Sequence, residues 1–124
     1  KDLNKSLELS KNFDKTYPNS SLRAEIHYKI SLLALEQKNT PISISELQTA
    51  LHTYLPAWDN SKIAHKLLAQ TLTQEKRFSE SAQIWQKLAS QSTEDEKSEA
   101  SFKAVENYLL AKEFNHAEEV YDSA

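Results

Sequence analysis

The sequence predicts an all-α fold of stacked, antiparallel helical hairpins, and three observations predict it. The chain of 124 residues contains no glycine and only three prolines, whereas β-rich folds need glycine for hairpin turns. Apolar residues recur at three- and four-residue spacing, the period of a helix with one buried face. The pattern also repeats. Ile26, Ile30, Ser31, Ala34 and Lys38 return 38 residues later as Ala64, Leu68, Ala69, Leu72 and Lys76, and 36 residues after that as Ala100, Ala104, Val105, Tyr108 and Lys112. A second set follows each copy: Ile44, Leu47, Leu51, Tyr54; Phe78, Ser81, Trp85, Leu88; Phe114, Ala117, Tyr121, Ala124. Two apolar stripes per period of about 34 to 38 residues are the signature of a helical repeat array.

The first helix is expected over residues 2–16, with Leu3, Leu7 (or Leu9) and Phe13 facing inward. Tyr17-Pro18-Asn19-Ser20 stops it, because proline disfavours the α conformation in the preceding residue, and Asn19 and Ser20 can turn the chain and cap the next helix. The second helix, near 21–38, carries Leu22, Ile26, Ile30, Leu33 and Ala34, and Asn39-Thr40-Pro41 breaks it. Ser43 and Glu46 have capping-box spacing and should open the third helix, which runs through Leu51 and Tyr54 to Pro56. The fourth starts at Asp59-Asn60-Ser61 and reaches about 75; the fifth spans about 79–91. Thr93 and Glu96 form a second capping box before a sixth helix near 94–111, whose acidic first turn suits a helix N-terminus. A seventh begins around Phe114. Short connections make sequence neighbours antiparallel, giving hairpins at 21–55, 60–91 and 94–124 after a lone helix, in one domain over 1–124.

Composition narrows the function classes. At 39% hydrophobic and 27% charged, the chain has the apolar matter for a core and is not a disordered tail. Net charge is −3 and the fifteen basic residues are scattered, which argues against sequence-independent nucleic-acid binding. No apolar run approaches the roughly 18 residues of a membrane span. Cysteine is absent, so neither disulfides nor thiolate chemistry arise, and either redox compartment fits. The start at Lys1 and the stop at Ser123-Ala124, inside a helical pattern, read as cuts through a longer array.

Phe114-x-x-Ala117-x-x-x-Tyr121-x-x-Ala124 resembles the second helix of the tetratricopeptide repeat, in which aromatic and small residues alternate at those offsets. Phe78-x-x-Ser81-x-x-x-Trp85-x-x-Leu88 and Ile44-x-x-Leu47-x-x-x-Leu51-x-x-Tyr54 are looser versions. In the preceding helices, Leu68-Ala69-x-x-Leu72 matches the family's large–small–x–x–aromatic step, with Ala104-Val105-x-x-Tyr108 and Ile30-Ser31-x-x-Ala34 further from it. The resemblance covers nearly the whole chain and implies a right-handed α-α superhelix, a solenoid of about three hairpins and seven helices. It departs from the family in lacking glycine at the small position of the first helix and in the inter-helix turn, which reads Glu75-Lys76-Arg77 and Lys112-Glu113. A divergent helical-repeat relative of the family fits as well. Phe13-x-x-x-Tyr17-Pro18-Asn19-Ser20, echoed by Tyr54-Leu55-Pro56, is similar to periplasmic tetratricopeptide proteins of the bacterial envelope, including outer-membrane assembly lipoproteins and Tol–Pal-associated repeat proteins. The physical alternative is a good helix stop and restart, and a cytoplasmic location stays open.

Chemistry is not expected. His27 and His65 hold equivalent repeat positions, and neither they nor His52 and His116 fall into a metal-ligand spacing. Glu94, Asp95, Glu96 and Glu99 are explained by the helix N-terminus, and no nucleophile motif is present. No cofactor is implied. Trp85 falls on an inward repeat position; Trp58, in Pro56-Ala57-Trp58-Asp59, either fills a gap between repeats or marks an exposed contact, with packing favoured.

In a solenoid of this family the first helix of each hairpin lines the concave face. Its non-core positions are Tyr28, Leu32 and Leu35; Lys66, Gln70 and Thr73; Phe102, Glu106 and Leu109. Tyr28, Lys66 and Phe102 then form an aromatic-rimmed groove with a central cation, suited to a peptide or a partner subunit. The competing account is that these apolar residues are covered by further helices. The expected function is a non-enzymatic protein-interaction scaffold, with two alternatives: the helical accessory arm of a larger enzyme such as a lytic transglycosylase, or a structural spacer or dimerisation element. The oligomeric state is not encoded in any of these features.

Overall fold

Three lysines mark where three of the helices end. Lys38, Lys76 and Lys112 have φ of 60°, 60° and 61°, the left-handed region that glycine enters most cheaply. Each follows a helix, and the bonds around it repeat. The amide after the lysine donates back five residues, from Asn39 to the Ala34 carbonyl, from Arg77 to Leu72 and from Glu113 to Tyr108, all at 2.8 Å. The lysine amides donate to Leu35, Thr73 and Leu109 at 3.0 Å. This is a Schellman termination made three times without glycine.

The computed structural model describes residues 2–52 and 58–123, and among these it holds seven helices and no strand. They are α1 (Leu3–Thr16), α2 (Leu22–Glu36), α3 (Thr40–His52), α4 (Ser61–Gln74), α5 (Phe78–Ser90), α6 (Glu94–Leu110) and α7 (Phe114–Ser123). The expectations for Tyr54, Pro56 and Ala124 lie outside the described residues. No described helix is long and apolar enough to cross a membrane.

Helix α1 starts at Asp2, whose carboxylate accepts from the Lys5 amide, and ends where Phe13 stacks on Tyr17 with ring centroids 4.9 Å apart. Ser20 then accepts from the Leu22 amide at the entrance to α2, as the Pro-Asn-Ser turn implies. Helix α3 departs from expectation. It starts at Thr40 because the Asn39 side chain accepts from the Ile42 amide, and Pro41 sits in the first turn, where a missing N–H costs nothing. Ser43 and Glu46 are therefore not a capping box; both are buried inside α3. Thr93 does precede α6, with its three acids in the first turn, but the threonine hydroxyl makes no capping bond.

The lysine turns also set the repeat register. Counted from them, Thr40, Phe78 and Phe114 are equivalent; so are Ser43, Ser81 and Ala117; so are Leu47, Trp85 and Tyr121. The alignment of Ile44 with Phe78 is one helical turn out, because α3 begins directly after its turn. The first-helix stripes hold at Ile30, Leu68 and Ala104, and at Ala34, Leu72 and Tyr108, all buried, but Leu22, expected on the inward stripe of α2, lies at its first turn and is exposed, and Ile26 and Leu33 are half-buried.

The chain forms two compact units that divide between Ala64 and His65, inside α4. In the first, α1 packs on α2 and α2 on α3, and the core contains Ala24, Ile30, Ala34, Ile44, Leu47, Ala50 and Trp58. Leu3, Leu7 and Phe13 are half-buried while Leu9 is exposed, which settles the inward stripe of α1. In the second, α5 packs on α6 and α6 on α7 around Trp85, Leu88, Ala100, Ala104, Tyr108, Ala117 and Val120. Lys103 on α6 places its ammonium 5.4 Å from the centre of the Trp85 ring. A polar chain ties α4, α5 and α6 together. Ser81 donates to the Ala69 carbonyl at 2.7 Å, Thr73 lies 2.7 Å from the Ser81 hydroxyl and donates to Asn107 at 2.8 Å, and Asn107 donates to the Lys103 carbonyl.

A left-handed lysine costs about 1 kcal/mol that glycine does not incur. Lys76→Gly is therefore expected to raise stability by up to about 1 kcal/mol, and Lys76→Val to lower it by at least as much. Urea unfolding of the two variants checks the sign; a destabilised glycine variant would refute this reading of the turn.

Candidate functional site

Helix α6 separates its residues sharply by face. Ala100, Ala104, Asn107 and Tyr108 point into the second unit, and the Tyr108 hydroxyl donates to Gln86 at 2.8 Å. Phe102, Glu106 and Leu109, spaced four and three apart, share the opposite face and are exposed. Phe102 is 65% exposed and Leu109 49%. Tyr121 on α7 is 73% exposed, and with Phe102, Val105, Glu94 and Lys97 it lines a mainly apolar groove of about 650 Å³. Ser98 and Ser101 complete its lining.

The other expected contact residues differ in setting. Lys66 on α4 is half-buried and Gln70 is exposed, both within the second unit. Tyr28, Leu32 and Leu35 lie on α2 in the first unit, so the expected Tyr28–Lys66–Phe102 set is divided between the two units. Leu32 is exposed and Leu35 half-buried. Tyr28 is half-buried because Trp58 meets it edge-on, with ring centroids 5.8 Å apart at 74°. Trp58 itself is buried, which decides in favour of packing. Its indole N–H donates to Glu25 Oε1 at 2.9 Å, and Asn60 donates to the same oxygen at 2.8 Å. The Trp58 hydrogen bond, with that of Asn60 and the charge of Lys29, holds the Glu25 carboxyl below its ordinary 4.5 against the opposing pull of burial.

The first unit also contains a charged cluster that sequence reasoning missed. His27, 4% exposed, places Nε2 2.7 Å from Asp14 Oδ2 on α1 and Nδ1 2.8 Å from Glu46 Oε1 on α3. Both ring nitrogens are thus occupied by carboxylates, which leaves no lone pair for a metal. Among the described residues no group of three or more histidine and acidic side chains is arranged to hold one. Burial alone would lower the His27 pKa; the hydrogen bonds to Glu46 and Asp14, and their charges, outweigh it and hold the ring above its ordinary 6.5. The signal was present in the sequence: Glu46 sits on the inward stripe of α3, between Ser43 and Ala50, where an acid requires a buried partner.

Removing one member of a buried ionic cluster leaves another charge uncompensated. Glu46→Ala is expected to cost about 3 kcal/mol or more. Arg77→Ala breaks an exposed pair, in which both guanidinium contacts to Glu80 are 2.8 Å, and should cost no more than about 1 kcal/mol. Urea unfolding of both variants at pH 6 measures the contrast, and equal losses would contradict it.

No family model matches the chain, and no curated protein or solved structure matches it.

Proposed function

We propose that this chain is a non-enzymatic protein-interaction module whose recognition surface is the outward face of α6 and α7. In this reading the helices form tetratricopeptide-like antiparallel hairpins in a right-handed superhelix. One observation carries the proposal. Tyr121 occupies the repeat position of Trp85, yet Trp85 is 4% exposed beneath α6 while Tyr121 stands open beside Phe102. A large aromatic on a position that is elsewhere covered by a helix is an anchor for one, and contiguous exposed apolar patches of this kind mark binding sites.

The occupant is an amphipathic helix or extended peptide of a partner protein, with Phe102, Leu109 and Tyr121 supplying area. Lys97 and Lys66 steer acidic groups, and Gln70 and Glu106 add polar contacts. Tyr28, engaged by Trp58, is the weakest of the expected anchors. A place in bacterial envelope assembly rests on the Phe13–Ser20 resemblance alone.

Affinity capture from source extract tests the proposal. The wild-type domain is expected to retain a partner that a Lys66→Glu/Phe102→Ala/Tyr121→Ala variant loses, with circular dichroism showing both folded. Trp85→Ala should instead cost about 3–5 kcal/mol of stability. Identical capture by both baits would move the interaction off this face. A dimer that the variant converts to monomer by light scattering would replace the partner with a second copy.

A further inference from the structure

We propose that Asp14, His27 and Glu46 form a pH-operated latch that holds α1 against α2, closed while the His27 ring carries two protons and open once it loses one.

The geometry requires both protons. Nε2 to Asp14 at 2.7 Å and Nδ1 to Glu46 at 2.8 Å are hydrogen-bond distances, and each needs an N–H between the heavy atoms. A neutral imidazole has one N–H. With both carboxylates ionised, a neutral ring therefore aims a lone pair at a carboxylate oxygen inside the protein, where little water screens the repulsion. One of the two contacts must then break.

Asp14 is the side that yields. Its side chain is 29% exposed against 11% for Glu46, so it can turn to water at lower cost. Its second oxygen, Oδ1, is buried without a hydrogen-bond partner, a further reason for the carboxylate to leave once its ionic contact weakens. Glu46 keeps Nδ1–H and stays within the α2–α3 core. Beyond this cluster, helix α1 is held by side chains that are only half-buried, Leu3, Leu7 and Phe13. Ser10 alone among its described residues is buried, and that hydroxyl donates to the Leu7 carbonyl of its own helix. By contrast α2 and α3 share Ile30, Ala34, Ile44, Leu47 and Ala50.

The charges acting on His27 are Asp14 from α1 and Glu46 from α3. On α2 itself, Arg23, one turn earlier, donates to the Ser20 carbonyl, and Ser31, one turn later, donates to the Tyr28 carbonyl. The ring titrates above 6.5 when docked. A raised pKa in the docked state means that docking is fully favoured below about 6.5 and is lost as pH rises through the docked value. The latch is closed in mild acid and opens towards alkaline pH.

Hydrogen exchange on the intact chain from about pH 5.5 to 9, corrected for intrinsic rates, tests the latch alongside an NMR titration of His27. Protection of α1 amides is expected to fall by up to about tenfold per pH unit through the His27 titration, while α2 and α3 amides hold. In Asp14→Asn, α1 protection should no longer follow pH and the His27 pKa should drop. Flat α1 protection across the wild-type titration would overturn the proposal, as would simultaneous loss from α1, α2 and α3. An unchanged pH slope in Asp14→Asn would overturn it too.

Discussion

The bond from each post-lysine amide to the carbonyl five residues back is the constraint on which the helix pairs depend. It ends one helix and, in the same step, makes the next residue the start of another. Asn39 caps α3 through its side chain, Arg77 forks onto Glu80, and Glu113 Oε1 lies 2.9 Å from His116 Nδ1, always three residues on. The amides of Ser43, Ser81 and Ala117 then donate to the carbonyls of Asn39, Arg77 and Glu113 at 3.1 Å. Those three small residues are all buried. A bulkier side chain there would keep the second helix off the first, so the turn and the small residue act together. Each left-handed lysine costs on the order of 1 kcal/mol, a large share of the 5–15 kcal/mol that a domain retains, and it persists because burial beyond the turn outweighs it.

The two units solve the problem of buried polar groups differently, and this decides which can respond to pH. In the second unit the interior polar chain from Ala69 through Ser81, Thr73 and Asn107 to Lys103 is uncharged. No change of protonation near neutrality alters it. The first unit uses charge: half-buried Glu25 accepts from Trp58 and Asn60, and buried His27 stands between two acids. Glu25 is stabilised as a carboxylate and loses that stability only as pH falls through its lowered pKa. His27 has the opposite sign. The first unit is therefore bounded on both sides, with acid acting on Trp58 through Glu25 and alkali acting on α1 through His27.

Legible in the sequence is whatever depends on local period. The existence and order of seven helices, most of the stripes of α2, α4 and α6, and the shared face of Phe102 and Leu109 come from 3.6-residue spacing, while the exposure of that face does not. The failures depend on contacts that spacing does not encode. Asn39 overrides Pro41 as the boundary signal, which shifts α3 by a turn and makes an apparent capping box into a buried serine and a histidine partner. Asp14 and Glu46 lie 13 and 19 residues from His27, so neither shares a helix face with it in the sequence. Tyr28 looks free in the sequence because Trp58, thirty residues on, has no periodic relation to α2. Absence of glycine at the turns reads as a departure from a family, yet the backbone makes the same left-handed turn with lysine.

Trp85 and Tyr121 differ in more than exposure. Surface aromatics are common enough that one open ring says little. Here the same register position is seen twice within one unit, once covered and once open, with the helical backbone beneath it built the same way. Where it is covered, the cover is α6, which brings small residues (Ala100 and Ala104) against the core and sets the Lys103 ammonium over the indole. A helix with small residues four apart and a flanking cation is therefore the shape that this position accepts. Tyr121, Phe102 and Val105 present an apolar lining there, and Glu94 lines the same groove. In the proposed reading, a helical occupant of that composition buries more of its area here than an extended strand, whose alternating side chains would place half their area away from the groove.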